Sequence, residues 1–498
     1  MSGQIAENRS DQCLGSKKIA SLDAAGCLHS HHGFTRGHVE ETMTALGAAR
    51  PPGQTNDILA KVEADLDEDL LPVEVFNDAG IFQAELERIF ASSWVFVAHE
   101  SEIPKAGDFV QRRIGLDPVI VTRDGQGGIN VLSNYCRHRG TQVCQTDQGN
   151  SRFFTCNYHG WTYANTGELI GTPFMHRAYG KPVDRQQWGL FKAPRVETRC
   201  GLVFASLAEH GESLGEYLGG AGWMLDALLR MHPDGMRVAG PPDRYHVKAN
   251  WKTAAENFAG DIYHVPTLHR SMEEIGIARG LDSGGEFGRP YQFENGHSFM
   301  GIAWTEASGP FFEFWGYPPE IKDHFDLSAL DETQRHVVTH DGPIVGTVFP
   351  NLSFYRGAAV DGAGRMSVIT SFRQWQPVGP GELEVWSWQF VWSFQDDESA
   401  LQDAVTGQLQ FGSAGVAEQD DTVAWEGAPR AGASPWARSK GMAFHFQQGN
   451  NSEVDQSPDP LWKGPGIRRL TGFGEHNQLA FYRNWLRVMT QNTDEKAV

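Results

Sequence analysis

The chain has 498 residues, of which 42 are Lys or Arg and 62 are Asp or Glu, so its formal net charge is −20 at pH 7. This length predicts two or three domains, and the acidic balance excludes non-specific binding to nucleic acid, which needs clustered basic side chains. The sequence has neither an apolar run long enough to span a membrane nor a secretory signal pattern, and its six cysteines are too sparse for a disulfide framework. We therefore expect a cytoplasmic protein.

Changes in composition divide the chain into four regions. Little apolar periodicity predicts a mobile tail over residues 1–55. We expect a helical segment at residues 56–95 that packs on the C-terminal domain, a small antiparallel β domain at residues 96–210, and a larger sheet-and-helix domain at residues 211–498. The expected fold class is α+β, with the small β domain inserted ahead of the larger domain.

The predicted elements of the first half follow from the spacing of apolar residues. This spacing predicts one amphipathic helix from Asn77 to Phe96, with Asn77 or Asp78 as its N-cap. The period then changes to two, which predicts antiparallel strands. These strands lie at residues 108–115, 118–124, 128–134 and 202–207, and the last of them is expected to close the small β domain.

The second half of the chain alternates helical and strand patterns. Helices are predicted at residues 214–230, 251–269, 397–411 and 476–489. Strands are predicted at residues 347–355, 365–375 and 382–392, the last of which is rich in tryptophan and is expected in the core of a sheet.

Four potential metal ligands stand at a distinctive spacing in the small β domain. Cys136 and His138 occur in NYCRHRG, and Cys156 and His159 occur in TCNYHGW. Zinc fingers usually pair two cysteines and then two histidines, whereas each short motif here supplies one of each. That pattern suits a 2Fe–2S cluster in which two Cys hold one iron and two His hold the other. Structural cysteines with unrelated histidines are the simpler alternative, which this regular spacing disfavours.

The two motifs resemble the Rieske signature. Rieske proteins of quinol-oxidising complexes carry an extra, disulfide-linked cysteine in each motif, whereas this chain has Thr141 and Tyr158 at those positions. The resemblance therefore favours the oxygenase and ferredoxin branch. Cys144 lies between the motifs without a counterpart in the second one, and we interpret it as an ordinary residue.

A second constellation follows about 100 residues later in AENFAGDIYHVPTLHR. His264 and His269 are five residues apart, and we expect Pro266 to break the helix between them so that both imidazoles turn to one side. Two His and one carboxylate on one face of Fe(II) leave positions open for dioxygen and substrate. The distant sequence AGVAEQDD offers Asp420 and Asp421 as that carboxylate.

From about Val75 to the C-terminus, the chain resembles the large (alpha) subunit of Rieske non-heme iron aromatic-ring-hydroxylating dioxygenases. The resemblance implies a helix-grip-like catalytic domain in which His264, His269 and Asp421 bind mononuclear iron. It implies catalytic roles for Asn257 and Asp261. Asp261 would bridge an iron-ligating histidine and the cluster histidine of a neighbouring subunit in a head-to-tail trimer.

The same resemblance implies the reaction and its partners. NADH electrons would reach the cluster through a reductase and a ferredoxin, and both atoms of O2 would be added to an aromatic substrate to give a cis-dihydrodiol. A small beta subunit and an alpha3beta3 or alpha3 assembly are implied as well. The residues that correspond to the substrate pocket are Asn257, Phe258, Val265, Phe411 and Ala417.

Several alternatives remain open from the sequence. A Rieske monooxygenase or demethylase would use the same metals, whereas an electron carrier or a zinc-binding module would not need the second constellation. Arg270, Arg356 or Arg373 could anchor an aromatic carboxylate, because arginine pairs with it bidentately. Around the cluster, a basic patch for an acidic ferredoxin could comprise Arg137, Arg139 and Lys181.

Overall fold

The computed structural model describes residues 52–275, 287–304, 313–360, 364–450, 453 and 456–491. Most of the predicted tail therefore lies outside the described residues. The first helix of the described residues, Pro52–Leu66, starts inside the region predicted as tail. Among the described residues, none of the helices is both long and apolar enough to cross a membrane.

The helices of the described residues are numbered here in chain order. They are α1 (Pro52–Leu66), α2 (Ala79–Glu85), α3 (Met175–Ala178), α4 (Leu214–Leu229), α5 (Trp251–Phe258), α6 (Val265–Leu268), α7 (Arg270–Glu274), α8 (Pro319–Lys322), α9 (Glu332–His340), α10 (Asp397–Phe411), α11 (Val416–Trp425), α12 (Gly427–Ala433), α13 (Pro435–Ser439) and α14 (His476–Thr490). The predicted helices at 397–411 and 476–489 are confirmed almost to the residue.

The strands are numbered in the same way. They are β1 (Leu70–Pro72), β2 (Val95–His99), β3 (Asp108–Ile114), β4 (Asp117–Arg123), β5 (Ile129–Ser133), β6 (Gln148–Asn150), β7 (Phe153–Thr155), β8 (Thr162–Ala164), β9 (Leu169–Gly171), β10 (Arg195–Arg199), β11 (Leu202–Ser206), β12 (Met236–Val238), β13 (Asp243–Val247), β14 (Gly288–Gln292), β15 (Ser298–Ile302), β16 (Pro343–Val348), β17 (Leu352–Val360), β18 (Met366–Gly379), β19 (Glu382–Trp392), β20 (Ala443–His445) and β21 (Ile467–Arg468). All pairings between these strands are antiparallel, as the sequence predicts for the small domain.

The small β domain contains two sheets between residues 108 and 171. Strands β5, β4, β3 and β6 form one sheet in that order, and β7, β8 and β9 form the other. The strand predicted at residues 202–207, which was expected to close this domain, is present. That strand, β11, lies in a separate sheet between β10 and β2, because its fully buried run Leu202–Ser206 pairs with the equally buried run Val95–His99.

The predicted helix from Asn77 to Phe96 is longer than the observed helix α2, which ends at Glu85. Asp78 caps α2 by accepting hydrogen bonds from the backbone N–H groups of Gly80 and Ile81, as predicted. The helix changes to a π-helical turn at Leu86–Phe90 and then ends. Val95 and Phe96 belong to β2, because β-branched and aromatic residues pack well in a buried strand when a partner strand is available.

A nine-stranded sheet forms the centre of the C-terminal domain. Its order is β12, β19, β18, β17, β16, β15, β14 and β21, and β13 also pairs with β19. Both faces are buried: Leu383 and Val385 point into one hydrophobic core, whereas Trp386 and Trp388 point into another. The alternation of side chains along a strand explains how one tryptophan-rich strand serves both cores.

A buried ion pair fixes the start of α5. The Nζ atom of Lys252 donates to Oε1 of Glu85 at 2.6 Å, and both side chains are fully buried. The indole N–H groups of Trp251 and Trp485 donate to the same carboxylate. Because α5 leads directly into the second ligand motif, this contact anchors the candidate iron site to α2 and α14.

Candidate metal centres

Two similar turns carry the four candidate cluster ligands. The N–H of Gly140 donates to the carbonyl of Cys136 at 2.8 Å, and the N–H of Gly160 donates to the carbonyl of Cys156 at 2.9 Å. Both glycines have a positive φ, 76° and 71°, which an L-residue rarely adopts. The glycine that follows each motif therefore allows the tight turn that brings its Cys and His to the same end of the domain.

The two histidines of these turns lie side by side. The ring centroids of His138 and His159 are 4.5 Å apart, and the ring of Trp161 stacks on His138 with an interplanar angle of 6°. Both Nδ1 atoms are buried and have no hydrogen-bond partner. Two adjacent imidazole nitrogens without partners match the nitrogen ligands that one iron of a Rieske-type cluster requires.

The two cysteines form the buried side of this site. Cys136 and Cys156 are 3% and 2% exposed, and burial raises the pKa of the Cys156 thiol. The hydroxyl of Tyr163 lies 3.3 Å from Sγ of Cys136 and accepts a hydrogen bond from the N–H of Arg137. Two thiols and two unpartnered imidazoles in one place fit a 2Fe–2S cluster.

Pro266 was expected to break the helix between His264 and His269. The structure contradicts this, because Pro266 lies inside a short helix. The helix α5 ends at Phe258, and Gly260 follows with a φ of 132°. Asp261 then accepts hydrogen bonds from the backbone N–H groups of Tyr263 and His264. Pro266 lies in the first turn of α6, where proline is tolerated, so the glycine and not the proline redirects the chain.

The structure brings His264, His269 and Asp421 together. The Nε2 atoms of both histidines lie 3.4 Å from the same oxygen, Oδ1 of Asp421. One candidate ligand atom from each residue lies within 4.8 Å of the others. Oδ1 of Asp421 is buried and makes no hydrogen bond of good geometry, which is expected of an atom that faces a cation. Two imidazoles and one carboxylate fit a mononuclear iron with open positions.

Other polar groups surround these three residues. Nδ1 of His264 lies 3.3 Å from Oδ2 of Asp261, and Nδ1 of His269 lies 3.3 Å from Oδ2 of Asp420. The side-chain amide of Asn257 lies 3.4 Å from Nδ1 of His264. Asp420 therefore faces the outer edge of a histidine, whereas Asp421 faces the centre. Carboxylates behind ligating histidines fix the orientation and tautomer of their rings.

The electrostatics of the site favour a bound cation. Burial alone would lower the pKa of His264, but the carboxylates of Asp261 and Asp421 outweigh it and raise this pKa to about 10. Burial alone would raise the pKa of the Asp421 carboxyl, but the neighbouring imidazoles of His264 and His269 outweigh it and lower this pKa. The carboxylates thus require a compensating positive charge, which a metal ion supplies when the imidazoles are neutral ligands.

The residues expected in the substrate pocket lie on or at the ends of four helices, α5, α6, α10 and α11, of which α11 also carries Asp421. Phe258 is buried, and its ring centroid lies 5.1 Å from that of Trp375. The ring of Phe411 lies 4.3 Å from that of Tyr355. Ala417 is buried in the first turn of α11, and Val265 is half-buried at the start of α6. Tyr355 and Trp375, which contact Phe411 and Phe258, could not be predicted from the sequence because no motif marks them.

None of the three arginines considered as carboxylate anchors is free to serve as one. Arg373 is fully buried and pairs with Glu418. Arg356 is buried and donates to Oγ1 of Thr370 and the carbonyl of Leu228. Arg270 is exposed and pairs with the glutamate one turn later on α7. The idea that one of them binds a substrate carboxylate is therefore disfavoured by their existing partners.

The basic residues near the cluster are of two kinds. The guanidinium of Arg137 lies 3.8 Å from the ring centroid of Phe191 and donates to the carbonyl of Gly189. Arg137 therefore supports the cluster loop. Arg139 and Lys181 are exposed and can contribute to a docking surface.

Comparison with known proteins agrees with these two sites. A family model of the Rieske [2Fe-2S] domain matches residues 93–190, and a model of the catalytic domain of the ring hydroxylating alpha subunit matches residues 236–491. Each match contains one of the two ligand constellations. The chain therefore belongs to the ring-hydroxylating oxygenase alpha subunits of the Rieske type, and it carries the cofactors of that family, a Rieske 2Fe–2S cluster and a mononuclear iron.

Individual relatives include a demethylase subunit as well as dioxygenase subunits. The chain is 45% identical over 438 residues to the N,N-dimethyl phenylurea N-demethylase subunit alpha of Sphingobium sp. (strain YBL2), which covers 87% of this chain and 94% of that protein. It is 33% identical to the large oxygenase component of the naphthalene 1,2-dioxygenase system of Pseudomonas aeruginosa, over 82% of this chain and 89% of that one. The crystal structure of naphthalene 1,2-dioxygenase from Rhodococcus sp. bound to indole matches with a TM-score of 0.82 and 36% identity, over 88% of this chain and 98% of that one.

Proposed function

We propose that this protein is the alpha subunit of a terminal oxygenase that inserts oxygen from O2 into an aromatic small molecule. The observation that carries the proposal is the convergence of His264 and His269 on one buried oxygen of Asp421. In this proposal these three residues hold the mononuclear iron, and Asp420 supports His269 from behind. The cluster is held by Cys136, His138, Cys156 and His159.

The bound metals supply one-electron transfer and activation of dioxygen, and the protein's own residues organise the site around them. Asp261 holds the ring of His264 by its Nδ1 edge and reaches the surface beside it. Asn257 contacts the same edge. Phe258, Val265, Phe411 and Ala417 form the wall that excludes water and orients an apolar ring next to Asp421.

Oxidative N-demethylation of an N-methyl aryl compound is the first candidate reaction. It is supported by the 45% identity with a phenylurea N-demethylase subunit, which exceeds the 33% and 36% identities to the dioxygenases compared above. One oxygen atom would be inserted into a methyl C–H bond, and the product would lose formaldehyde. The second oxygen atom would leave as water with two electrons and two protons.

Cis-dihydroxylation of an aromatic ring is the second candidate. It is supported by the TM-score of 0.82 with a naphthalene dioxygenase. Both oxygen atoms would enter the ring, and two electrons and two protons would complete the cis-dihydrodiol. The same His, His, Asp centre serves either outcome, so the substrate group that lies nearest to it decides between them.

Product analysis tests the proposal directly. The holoenzyme would be supplied with NADH, a ferredoxin and its reductase, and offered N,N-dimethyl phenylureas and naphthalene under 18O2. Formaldehyde together with the monomethyl urea would support demethylation, whereas a dihydrodiol with two labelled atoms would support dihydroxylation. Failure to oxidise any arene, with both metals present, would contradict the proposed function.

The electron donors and the assembly are part of the same proposal. We expect a ferredoxin and an NADH-dependent reductase to reduce the cluster, and we expect a trimer of alpha subunits with or without small beta subunits. The side chain of Asp261 is 34% exposed beside the buried iron site, which suits a bridge to His159 of a neighbouring subunit. Light scattering of the purified complex would give the stoichiometry.

A further inference from the structure

Arg373 is a fully buried cation beside the candidate iron site. It lies on β18, and its Nη1 donates to the carboxylate of Glu418, which is itself 2% exposed. Its Nη2 donates to the backbone carbonyl of Phe411 at 2.7 Å. The guanidinium also lies 4.7 Å from the ring centroid of Phe411 and 5.2 Å from that of Phe258. One side chain thus contacts both the end of α10 and the beginning of α11.

Glu418 lies three residues before Asp421 on α11. Residues three apart on a helix lie on neighbouring positions of one face. One carboxylate oxygen of Glu418 binds Arg373, and the other accepts a hydrogen bond from the hydroxyl of Tyr245 on β13. The first turn of α11 has Gly415 at its N-cap position and no side-chain cap. The orientation of this turn therefore depends on the two strands that hold Glu418.

Stability alone does not account for this ion pair. A buried salt bridge costs so much desolvation that apolar residues of similar volume often stabilise a fold equally well. What the pair adds is direction, because an arginine fork and a carboxylate fix each other's orientation. The direction it fixes is that of the helix that carries Asp421.

We propose that Arg373 and Glu418 form a positioning pair that sets the place of Asp421 relative to His264 and His269. Through its bond to the carbonyl of Phe411, Arg373 also sets the distance between that ring and the iron. The inference rests on the proposed function. It deepens that function by assigning the residues that position Asp421 relative to the ring of Phe411.

The chain offers a matched control in Arg356. This arginine is also fully buried, lies on the neighbouring strand β17 and contacts aromatic rings, those of Trp315 and Trp392. Its partners are a threonine hydroxyl, a backbone carbonyl and methionine sulfur atoms, and none of them is a carboxylate near Asp421. Arg356→Met therefore reports the general effect of losing a buried arginine from this sheet.

The test measures Fe(II) binding apart from turnover. Mononuclear iron is removed with a chelator while the visible spectrum shows that the cluster is intact, and the Kd for Fe(II) is measured by competition. We expect Arg373→Met and Glu418→Gln to raise the Kd about tenfold or more, the size of effect known for residues that orient metal ligands. We expect Arg356→Met to change it less than twofold.

The double variant Arg373→Met/Glu418→Met separates positioning from stability. Removing both charges leaves no uncompensated ion, so its unfolding midpoint should recover towards that of the unmodified protein. The Kd for Fe(II) should stay raised, because nothing directs α11. In the dihydroxylation assay, the ratio of products at two ring positions should also shift in Glu418→Gln.

Two results would overturn the inference: an Fe(II) Kd in Arg373→Met that equals that of Arg356→Met, or a normal Kd in the double variant. Asp421→Ala is measured alongside as a reference. If that variant binds Fe(II) normally, the assignment of the iron site itself is wrong, and the positioning role is wrong with it. If Asp421→Ala alone loses iron, the assignment of the iron site is correct and the positioning role of Arg373 and Glu418 is wrong.

Discussion

Nδ1 of His264 lies 3.3 Å from Oδ2 of Asp261, and the aspartate is 34% exposed while the histidine is 20% exposed. The carboxylate thus connects a partly buried ring with the surface. This is the geometry expected if an electron travels through Asp261 from the cluster of a neighbouring subunit to the iron.

Asp261→Ala should nearly abolish this electron transfer. We expect an unchanged cluster spectrum. Turnover should fall about a hundredfold, because the variant loses the carboxylate that orients the iron-bound ring of His264. Asp261→Asn is the control for loop geometry, since its amide oxygen can still accept from the N–H groups of Tyr263 and His264. Stopped-flow oxidation of the reduced cluster measures the electron transfer from the cluster to the iron. Normal turnover in the alanine variant would refute the role of Asp261 as a bridge.

Asp421 and Asp420 should differ in their effect on iron. We expect Asp421→Ala to lose mononuclear iron, because its Oδ1 faces both histidines. Asp420→Ala should bind iron about tenfold more weakly, because Asp420 only orients His269. Iron and labile sulfide are measured together, so that cluster content serves as the internal control. Equal iron loss in both variants would contradict the distinction.

Tyr163→Phe should lower the reduction potential of the cluster. The hydroxyl lies 3.3 Å from Sγ of Cys136, and burial raises the pKa of Tyr163, so it stays protonated and donates to the sulfur. Such a bond stabilises the more negative reduced cluster, and its loss should cost on the order of 50 mV. Tyr179→Phe is the matched control, because its hydroxyl binds the indole of Trp161. Equal potentials in both variants, measured by redox titration, would argue against this role.

His297 should make stability depend on pH. Burial lowers its pKa to about 4, and its Nδ1 accepts from the N–H of Phe349. Below about pH 6.5, His297 binds a proton in the unfolded chain, whereas in the folded protein it stays neutral down to about pH 4. The free energy of unfolding therefore falls as the pH falls through this window. His99 and His476 have their pKa lowered to about 4 as well, so they contribute in the same direction.

His297→Gln isolates one of these protons. We expect the loss of unfolding free energy between pH 7 and pH 5 to be about 2 kcal/mol smaller in this variant than in the unmodified protein. Urea unfolding at the two pH values measures it. A variant with the same pH dependence as the unmodified protein would show that His297 is not excluded from protonation.

Ala417→Trp should change the range of substrates. Ala417 is 4% exposed and begins α11 next to the candidate pocket. A bulky ring there should reduce the turnover of fused-ring arenes more than tenfold while single-ring substrates lose less, because overpacking excludes the larger ligand first. Equal losses on both classes would show that Ala417 does not line the pocket.

Local sequence patterns predicted most elements correctly where one segment determines its own structure. The helix at residues 397–411 and the strand at residues 382–392 match the structure because their apolar periods are long and regular. The helix predicted from Asn77 to Phe96 failed at its end, because β2 exists only through its pairing with β11, more than 100 residues later. Distant pairing partners leave no trace in a short window of sequence.

The sequence by itself determined the kinds of ligands and therefore the family, because Cys, His and Asp at fixed spacings restrict the metal chemistry. The tertiary structure decided which of two adjacent aspartates lies next to the Nε2 atoms of both histidines, since successive residues on a helix point about 100° apart. It also decided that Gly260 and not Pro266 turns the chain, and that Arg373 meets Glu418 across 45 residues. These contacts depend on how strands and helices pack, which no local spacing specifies.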